Sequence, residues 1–238
     1  MGEVHECERQ IMLKLIHAPQ ATFNELWAKQ GESNTFAYHL HKLEEAGIVI
    51  KNADGAYHLT EKGRKDSAFI EGDTGARAEF PTLSVVMLVQ DGDNWLCQRR
   101  LKQPFFGYWG FISGKINFGF NVFECATRDL EEETGLIATD WELKAIEQVK
   151  TFEDGRLLHH HFLFHVYTTK FSGVLKPATH KASNAWMTLD EYKSKETFPS
   201  EKFFEHIIPT KKPVMLEAER FMEAGKFVGM KTTRVVHF

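Results

Sequence analysis

The segment GKINFGFNVFECATRDLEEETGL, residues 114–136, predicts the best-defined helix of the chain. Asn121 is a favourable N-cap, and Glu124 occupies the third helical position, where its side chain can complete a capping box. Gly135 stands where many helices end in the left-handed backbone conformation. Together these signals predict a helix from about Val122 to Thr134.

The acidic residues of this helix are concentrated near its C-terminal end. Asp129, Glu132 and Glu133 are spaced i, i+3 and i+4, so they share one face and repel one another by about 0.2–0.5 kcal/mol per pair. The negative end of the helix dipole adds to this cost. A solvated helix face tolerates such repulsion. A divalent cation with carboxylate ligands would instead convert it into attraction.

A separate stripe of the helix is predicted to face the core. Its members recur at helical spacing and are Phe123, Ala126, Leu130 and Thr134.

The whole stretch resembles the Nudix box, whose pattern fixes glycine, arginine, glutamate and apolar positions over 23 residues. The matching positions are Gly114, Arg128, Leu130, Glu132, Glu133, Gly135 and Leu136. The flanking segments YWGFISGK (108–115) and AWMTLDEY (185–192) are also similar to the family. The resemblance covers about residues 81–208. It implies an α/β (α+β) fold, a Nudix-type α/β/α sandwich with a mixed sheet.

The resemblance also implies an activity, a cofactor and roles for individual residues. Nudix proteins typically hydrolyse a nucleoside diphosphate linked to another group, and they use Mg²⁺ or Mn²⁺ held by box carboxylates. By this resemblance Glu132 and Glu133 are catalytic metal ligands, and Asp129 is a ligand or holds a metal-bound water. Arg128 orients these acids. The general base varies within the family, and Glu153 is a candidate.

The chain departs from the family pattern at three places. Phe120 replaces the first glutamate of the box, Asp129 replaces the glutamate after the arginine, and Ile112-Ser113 replaces the usual Pro-Gly. Because the missing glutamate generally holds the arginine, Arg128 needs another partner. Glu124 and Glu132, each four residues away, are the candidates. Phe120 is expected to pack on Cys125 as a hydrophobic staple.

A histidine-rich segment and an aromatic segment add candidate substrate contacts. In LLHHHFLFHVY (157–167), strand geometry places His159, His161 and His165 on one face. This row is either a three-histidine metal site or a polar strand face that contacts the phosphate or base of a substrate. Candidates for stacking on a base are Phe105, Phe106, Tyr108 and Trp109, and the alternative is that most of them belong to the core.

The chain is predicted to contain two domains. Residues 1–70 read as helices followed by a hairpin around Asp54-Gly55, an order that resembles a winged helix-turn-helix domain. Residues 71–82 are the predicted linker, and residues 83–238 form the Nudix domain. Within the second domain, a helix is predicted to start at Pro213 and to be followed by a terminal strand.

The first domain raises the question of DNA binding. The predicted recognition helix offers Asn34, Thr35, Tyr38, His39 and Lys42 for contacts with bases or phosphates. Residues 1–70 contain eight basic and ten acidic residues, a net charge of −2, which is unfavourable for binding phosphates. The alternative is that this domain mediates formation of a homodimer or packs on the Nudix domain.

Overall composition narrows the class of protein. The formal net charge of −4 gives no global basic field for nucleic acid. Three widely spaced cysteines (Cys7, Cys97 and Cys125) make neither a disulfide framework nor a zinc site and are expected to be small buried residues. No apolar run reaches membrane-spanning length and no secretion signal is recognisable, so a cytoplasmic location without a membrane partner is expected.

Three functions are consistent with these observations. The principal one is a metal-dependent Nudix pyrophosphohydrolase with a winged-helix accessory domain and a nucleotide-type substrate. The second is a DNA-binding transcriptional regulator that uses its Nudix domain as a nucleotide sensor. The third is a winged-helix dimer in which an inactive Nudix domain serves assembly.

Overall fold

The computed structural model describes residues 5–103, 105–199 and 206–238. The chain divides between Phe80 and Pro81 into two compact units, each with its own hydrophobic core. No helix within the described ranges has both the length and the apolar character required to cross a membrane.

The first unit contains three helices, a short hairpin and a fourth helix. Its elements are α1 (Glu6–His17), α2 (Phe23–Trp27), α3 (Ser33–Glu45), β1 (Val49–Lys51), β2 (Tyr57–Leu59) and α4 (Glu61–Ser67). An isolated bridge between Ala21 and Tyr57 adds a third short partner to the hairpin. Apolar residues of α1 and α3 meet in one core, in which Ile11 and Leu40 are almost completely buried.

Helix α3 begins at Ser33, and its N-cap Glu32 makes no side-chain capping hydrogen bond. The predicted linker 71–82 is mostly part of this unit. The ring of His17 lies 2.7 Å from the carbonyl oxygen of Gly72, and the amide of Ala78 donates to the carbonyl of Phe69.

The second unit is built on an eight-stranded mixed sheet that contains two long adjacent strands, of 12 and 13 residues. The elements of the unit are β3 (Thr82–Asp91), β4 (Asn94–Arg100), β5 (Trp109–Lys115), α5 (Val122–Thr134), β6 (Leu136–Ile137), β7 (Glu142–Glu153), β8 (Arg156–Thr168), β9 (Ser172–Gly173), β10 (Ala182–Met187), α6 (Leu189–Lys193), β11 (Val214–Glu223) and β12 (Lys226–His237). The strand order is β10-β4-β5-β3-β8-β7-β11-β12. The pairs β3–β8 and β7–β11 are parallel.

Helices cover both faces of this sheet. On one face, α5 buries Ala126 and Leu130 against Val85 and Met87 of β3. On the other face, Tyr192 of α6 packs in a second cluster with Val86, Leu88 and Leu216. The predicted mixed α/β fold is therefore confirmed, with a helix layer on each side of the sheet.

The predicted bounds of α5 are confirmed, but its predicted buried stripe is partly wrong. The Asn121–Glu124 capping box is present, and Gly135 has a positive φ of 74° at the end of the helix. Phe123 is 42% exposed, whereas Asp129 is only 8% exposed. The buried face is therefore rotated toward Cys125 and Asp129, which places an acidic residue where an apolar one was expected.

The helix predicted from Pro213 is wrong, because residues 214–237 form the hairpin β11–β12. Val214, Leu216 and Ala218 alternate with less buried residues and face the core, as the two-residue period of a strand requires. The turn at Ala224 and Gly225 has positive φ at both residues, which suits a tight hairpin. Parallel pairing with β7 overrides the helix propensity of a segment rich in Met, Leu, Glu and Ala.

The packing of α5 predicts different costs for two truncations. Leu130→Ala removes a side chain that is 0% exposed and should lower the free energy of unfolding by about 2–5 kcal/mol. Phe123→Ala is the matched control on the same helix and should cost less than about 1 kcal/mol. Denaturant unfolding followed by tryptophan fluorescence would measure both, because Trp141 and Trp186 pack on this cluster. Equal costs would contradict the observed orientation of α5.

Candidate active site

The second unit contains an open cavity of ≈ 800 Å³ above the face of the sheet that carries Val86. Alternate residues of four strands supply its floor, because side chains on a strand point to the same face every second residue. These floor residues are Thr82, Ser84 and Val86 of β3, Glu147 and Thr151 of β7, His159, His161, Leu163 and His165 of β8, and Arg220 of β11.

The acidic residues of α5 lie along one wall of this cavity. Asp129, Glu132 and Glu133 all line it, together with Arg128. Burial raises the pKa of the Asp129 carboxyl, and the negative charges of Glu132 and Glu133 raise it further, whereas Arg128 opposes the shift. The predicted acidic face is therefore brought together, and its mutual repulsion is visible at Asp129.

Gly114 allows the strand β5 to approach this wall closely. A Cβ atom at Gly114 would lie 1.6 Å from Oδ2 of Asp129, which no real side chain can tolerate. The first glycine of the box is therefore required by the position of the Asp129 carboxylate rather than by backbone conformation.

Arg128 has a different partner from those predicted. Its Nε and one terminal nitrogen both donate to Oδ1 of Asp129, at 2.9 and 2.7 Å. The guanidinium carbon also lies 5.3 Å from the centre of the Phe120 ring, within the range of a cation–π contact. Glu124 instead accepts a hydrogen bond from the Asn121 amide in the capping box.

Phe120 therefore supports Arg128 through its ring in place of a carboxylate. Its side chain is 50% exposed, whereas Cys125 is completely buried, so most of the Phe120 ring lies outside the core. The substitution thus preserves a contact with the arginine while removing a negative charge.

Glu133 is positioned by two polar residues that the sequence analysis missed. The side-chain amide of Gln98 donates to Oε2 of Glu133 at 2.8 Å and also lies 3.1 Å from Oδ1 of Asn184. Asn184 in turn donates to the carbonyl oxygens of Glu133 and Lys176. Burial of these polar side chains on neighbouring strands fixes the end of α5. Only the three-dimensional pairing of β10 with β4 brings them together.

The histidine row occupies the cavity floor as predicted for a polar strand face. His159 and His161 line the cavity, and their ring centres are 5.7 Å apart. Burial, together with the neighbouring His159 and Arg220, lowers the pKa of His161 to about 4. His161 is therefore neutral at neutral pH.

His165 is engaged deeper in the floor. Its Nε2 donates to Oε2 of Glu147 at 3.0 Å, and both side chains are nearly inaccessible. Burial acts to raise the pKa of Glu147, but this hydrogen bond and the positive charge of Arg220 outweigh it, so the pKa is lowered. Across residues 5–103, 105–199 and 206–238, no three His, Cys, Asp or Glu side chains are close enough to hold a metal ion by themselves. A preformed three-histidine metal site is therefore not supported.

Tyr108 and Trp109 do not line the cavity. Tyr108 is 9% exposed, and Trp109 packs on the core cluster that contains Trp95 and Tyr192. The aromatic residues that do line the cavity are Phe105, Phe111, Tyr192 and Phe198. We therefore favour the alternative that Tyr108 and Trp109 belong to the hydrophobic core rather than to a base-stacking site. Sequence spacing alone could not separate Tyr108 from its neighbour Phe105.

Glu153 is also outside the cavity. Its carboxylate accepts a hydrogen bond from the amide of Gly225 at 3.0 Å, across the turn of the β11–β12 hairpin. It is therefore a poor candidate for the general base.

In the first unit, helix α3 exposes only part of the predicted DNA-contacting set. Asn34, Thr35 and Tyr38 are exposed, with Tyr38 at 61%. His39 is buried, and its ring lies 2.9 Å from Oε1 of Glu8. Lys42 also donates to Glu8, at 2.8 Å. His39 is therefore part of the interior of the unit, because a buried carboxylate on α1 requires a partner.

Comparisons with known proteins agree with the fold and the site. A family model described as NUDIX domain matches residues 80–207, which is more than half of the chain. The mutator MutT protein from Bacillus halodurans is similar in structure, with 21% identity and a TM-score of 0.53 over 64% of this chain and 97% of that chain. The NUDIX domain of Shewanella oneidensis NrtR, solved with ADP ribose, has 16% identity and a TM-score of 0.44. The match covers 63% of this chain and 95% of that domain.

The likeness to the Bacillus halodurans protein concerns the fold, whereas the family model includes the segment whose acids form the cavity wall. Its match spans β3 to α6 and therefore contains Gly114, Arg128, Glu132 and Glu133 in the arrangement described above. The chain therefore belongs to the NUDIX domain family and is a pyrophosphohydrolase of the Nudix type.

Proposed function

We propose that the second unit hydrolyses the pyrophosphate of a nucleoside diphosphate linked to another group and that it requires Mg²⁺ or Mn²⁺. This proposal is supported by one observation: Asp129, Glu132 and Glu133 line the same cavity as a set of basic residues. Those basic residues are Arg100, Lys102, Lys115, Arg128 and Lys181. A pyrophosphate bound in this cavity would have both cations and metal ligands within reach.

The donor set fits a hard divalent cation. Oxygen ligands are the ones that Mg²⁺ and Mn²⁺ prefer, and Mg²⁺ typically keeps water and phosphate oxygens in most of its positions. One or two carboxylates are then sufficient. Oδ1 of Asp129 already accepts from Arg128, so Glu132 and Glu133 are the more available ligands. Burial raises the pKa of Asp129, and the negative charges of Glu132 and Glu133 contribute to that rise, which a bound cation would oppose.

The residues of the chain have separable roles in this reaction. Arg128 and Gly114 fix the Asp129 carboxylate, and Gln98 fixes Glu133, so the acids are oriented before substrate binds. The other basic residues of this set bind phosphate oxygens and stabilise negative charge that develops at phosphorus; they are Arg100, Lys102, Lys115 and Lys181. When bound, the metal supplies charge neutralisation and lowers the pKa of a coordinated water.

We further infer that the first unit is a winged-helix module that binds DNA. The helix order α1–α3 followed by the β1–β2 hairpin supports this inference, as do the exposed side chains Asn34, Thr35 and Tyr38 on α3. Binding of a nucleotide by the second unit would then accompany DNA binding by the same chain, as in a nucleotide-sensing regulator. The competing possibility is that this surface forms a homodimer.

The hydrolase proposal predicts the effect of a single isosteric substitution. Glu133→Gln should lower kcat/KM by at least about 100-fold in the presence of Mg²⁺ or Mn²⁺, because it removes a charged ligand while keeping the side-chain shape. Phosphate release would be measured with coupled phosphatase on ADP-ribose, ADP-glucose, NADH and diadenosine polyphosphates.

Glu131→Gln is the matched control, because Glu131 is exposed on the same helix and does not line the cavity. It should leave turnover within about twofold of the unmodified protein. Turnover that survives Glu133→Gln, or that does not depend on added metal, would contradict the proposal.

The DNA proposal predicts a salt-dependent interaction through α3. The full chain should bind a library of genomic fragments in fluorescence anisotropy, with affinity that falls as salt rises because phosphate contacts release counterions. The double variant Asn34→Ala/Tyr38→Ala should weaken specific binding by about tenfold or more. Thr74→Ala, an exposed position outside α3, should not.

Two results would count against this proposal. Absence of binding at low salt would remove DNA as a partner. A monomer–dimer equilibrium that the double variant disrupts, measured by sedimentation, would assign the surface to self-association.

A further inference from the structure

The C-terminal hairpin β11–β12 contributes to the cavity floor. This hairpin lies outside the residues that the family model matches. The match ends at residue 207, whereas β11 and β12 span Val214–Glu223 and Lys226–His237. β11 pairs in parallel with β7 and extends the floor of the cavity by one strand. The residue that it contributes to the cavity is Arg220.

Arg220 has unused hydrogen-bonding capacity. One of its terminal nitrogens is 4.0 Å from Oε1 of Glu147, which is longer than the 2.7–2.9 Å of a charge-assisted hydrogen bond. Its Nε is buried, and no hydrogen-bond partner for it exists among the residues that the structure describes. A guanidinium has five N–H donors, and a buried donor without a partner is costly. An acceptor from a ligand would satisfy it.

The strand register places Arg220 in a polar row. Arg220 is opposite Thr151 on β7, and Thr151 is opposite His159 on β8. Neighbouring strands are about 4.8 Å apart, so these three residues span roughly 10 Å of the floor. All three line the cavity, and they provide a cation, a hydroxyl and an imidazole. This combination suits an oxyanion with several acceptor oxygens.

The electrostatic potential near Arg220 and the aromatic residues around it both favour binding of an anion. Besides burial, positive groups including Arg220 and Lys115 contribute to the lowered pKa of His161, so the potential in this part of the floor is positive. Phe198 lies 6.0 Å from the Arg220 guanidinium and contacts Phe227 of the hairpin and Phe105. These rings place apolar surface beside the guanidinium, and apolar surroundings strengthen electrostatic attraction.

We propose that Arg220, Thr151 and His159 form a subsite for a phosphate group of the substrate other than the pyrophosphate that is cleaved. This inference rests on the proposed hydrolysis for its kinetic test and names the class of substrate: a nucleoside diphosphate derivative that carries an additional phosphate monoester. The hairpin thereby determines specificity, and the acids of α5 serve the reaction itself.

The kinetic test compares substrates that differ by one phosphate. Suitable pairs are NADPH with NADH and coenzyme A with dephospho-coenzyme A. The unmodified protein should favour the phosphorylated member of at least one pair. Arg220→Met should reduce that preference by roughly tenfold or more through KM, with kcat for the unphosphorylated member retained, because hydrogen bonds to charged groups are worth about that much.

Arg234→Met is the matched control, because Arg234 lies on the same hairpin, is 65% exposed and does not line the cavity. It should keep the preference. No preference in the unmodified protein, or the same preference after Arg220→Met, would overturn the inference.

A binding test separates this inference from the hydrolase proposal. Inorganic phosphate would be titrated into the full chain in the presence of EDTA, so that no metal holds it, and the imidazole signals of His159 and His161 followed by NMR. Saturable shifts in the unmodified protein and in Arg234→Met, but not in Arg220→Met, would support the subsite even if no substrate is turned over. Absence of shifts in the unmodified protein would overturn it.

Arg220→Met leaves Glu147 without a nearby guanidinium. If that variant does not fold, a second variant provides the test. Arg220→Lys keeps the charge but lacks the planar fork, so it should bind phosphate severalfold more weakly than the unmodified protein. The same change on the exposed face, Arg234→Lys, should have no effect. Equal phosphate affinity in both lysine variants would contradict the role of Arg220.

Discussion

The architecture of the site depends on the Asp129 carboxylate, which is held between Arg128 and the backbone of Gly114. Arg128 donates two hydrogen bonds to one carboxylate oxygen, and the other oxygen occupies the space of a missing Cβ on β5. This contact fixes the distance between the helix and the strand. It therefore also fixes where Glu132 and Glu133 enter the cavity. The acids sit at the unfavourable end of the helix dipole, where a bound cation would compensate for them.

Local signals were sufficient to predict this helix. The capping box at Asn121 and the terminal Gly135 agree with the structure because each depends on neighbours within a few residues. The acidic wall was predicted for the same reason. The partner of Arg128 was not, since stacking on Phe120 and pairing with the adjacent Asp129 depend on side-chain directions that spacing does not reveal.

Features that depend on distant residues could not be predicted in the same way. The β11–β12 hairpin was mistaken for a helix because its helix-forming composition hides a strand pairing with β7, about 70 residues earlier in the chain. Gln98 and Asn184 meet only because β10 and β4 are adjacent. His39 was assigned to an exposed surface because its buried partner Glu8 lies on another helix. In each case tertiary contacts outweighed the local pattern.

The cavity of the second unit therefore has an acidic wall on α5, where we propose that the reaction occurs, and a floor that the hairpin extends with a basic residue. The account requires that the carboxylates of the wall bind a divalent cation. Anomalous diffraction from a crystal of the full chain soaked with Mn²⁺ tests this requirement most directly. The account predicts an anomalous peak in the cavity within ligand distance of Glu132 or Glu133. A saturating soak with no peak there, or with Mn²⁺ only at the histidines of the floor, would contradict it.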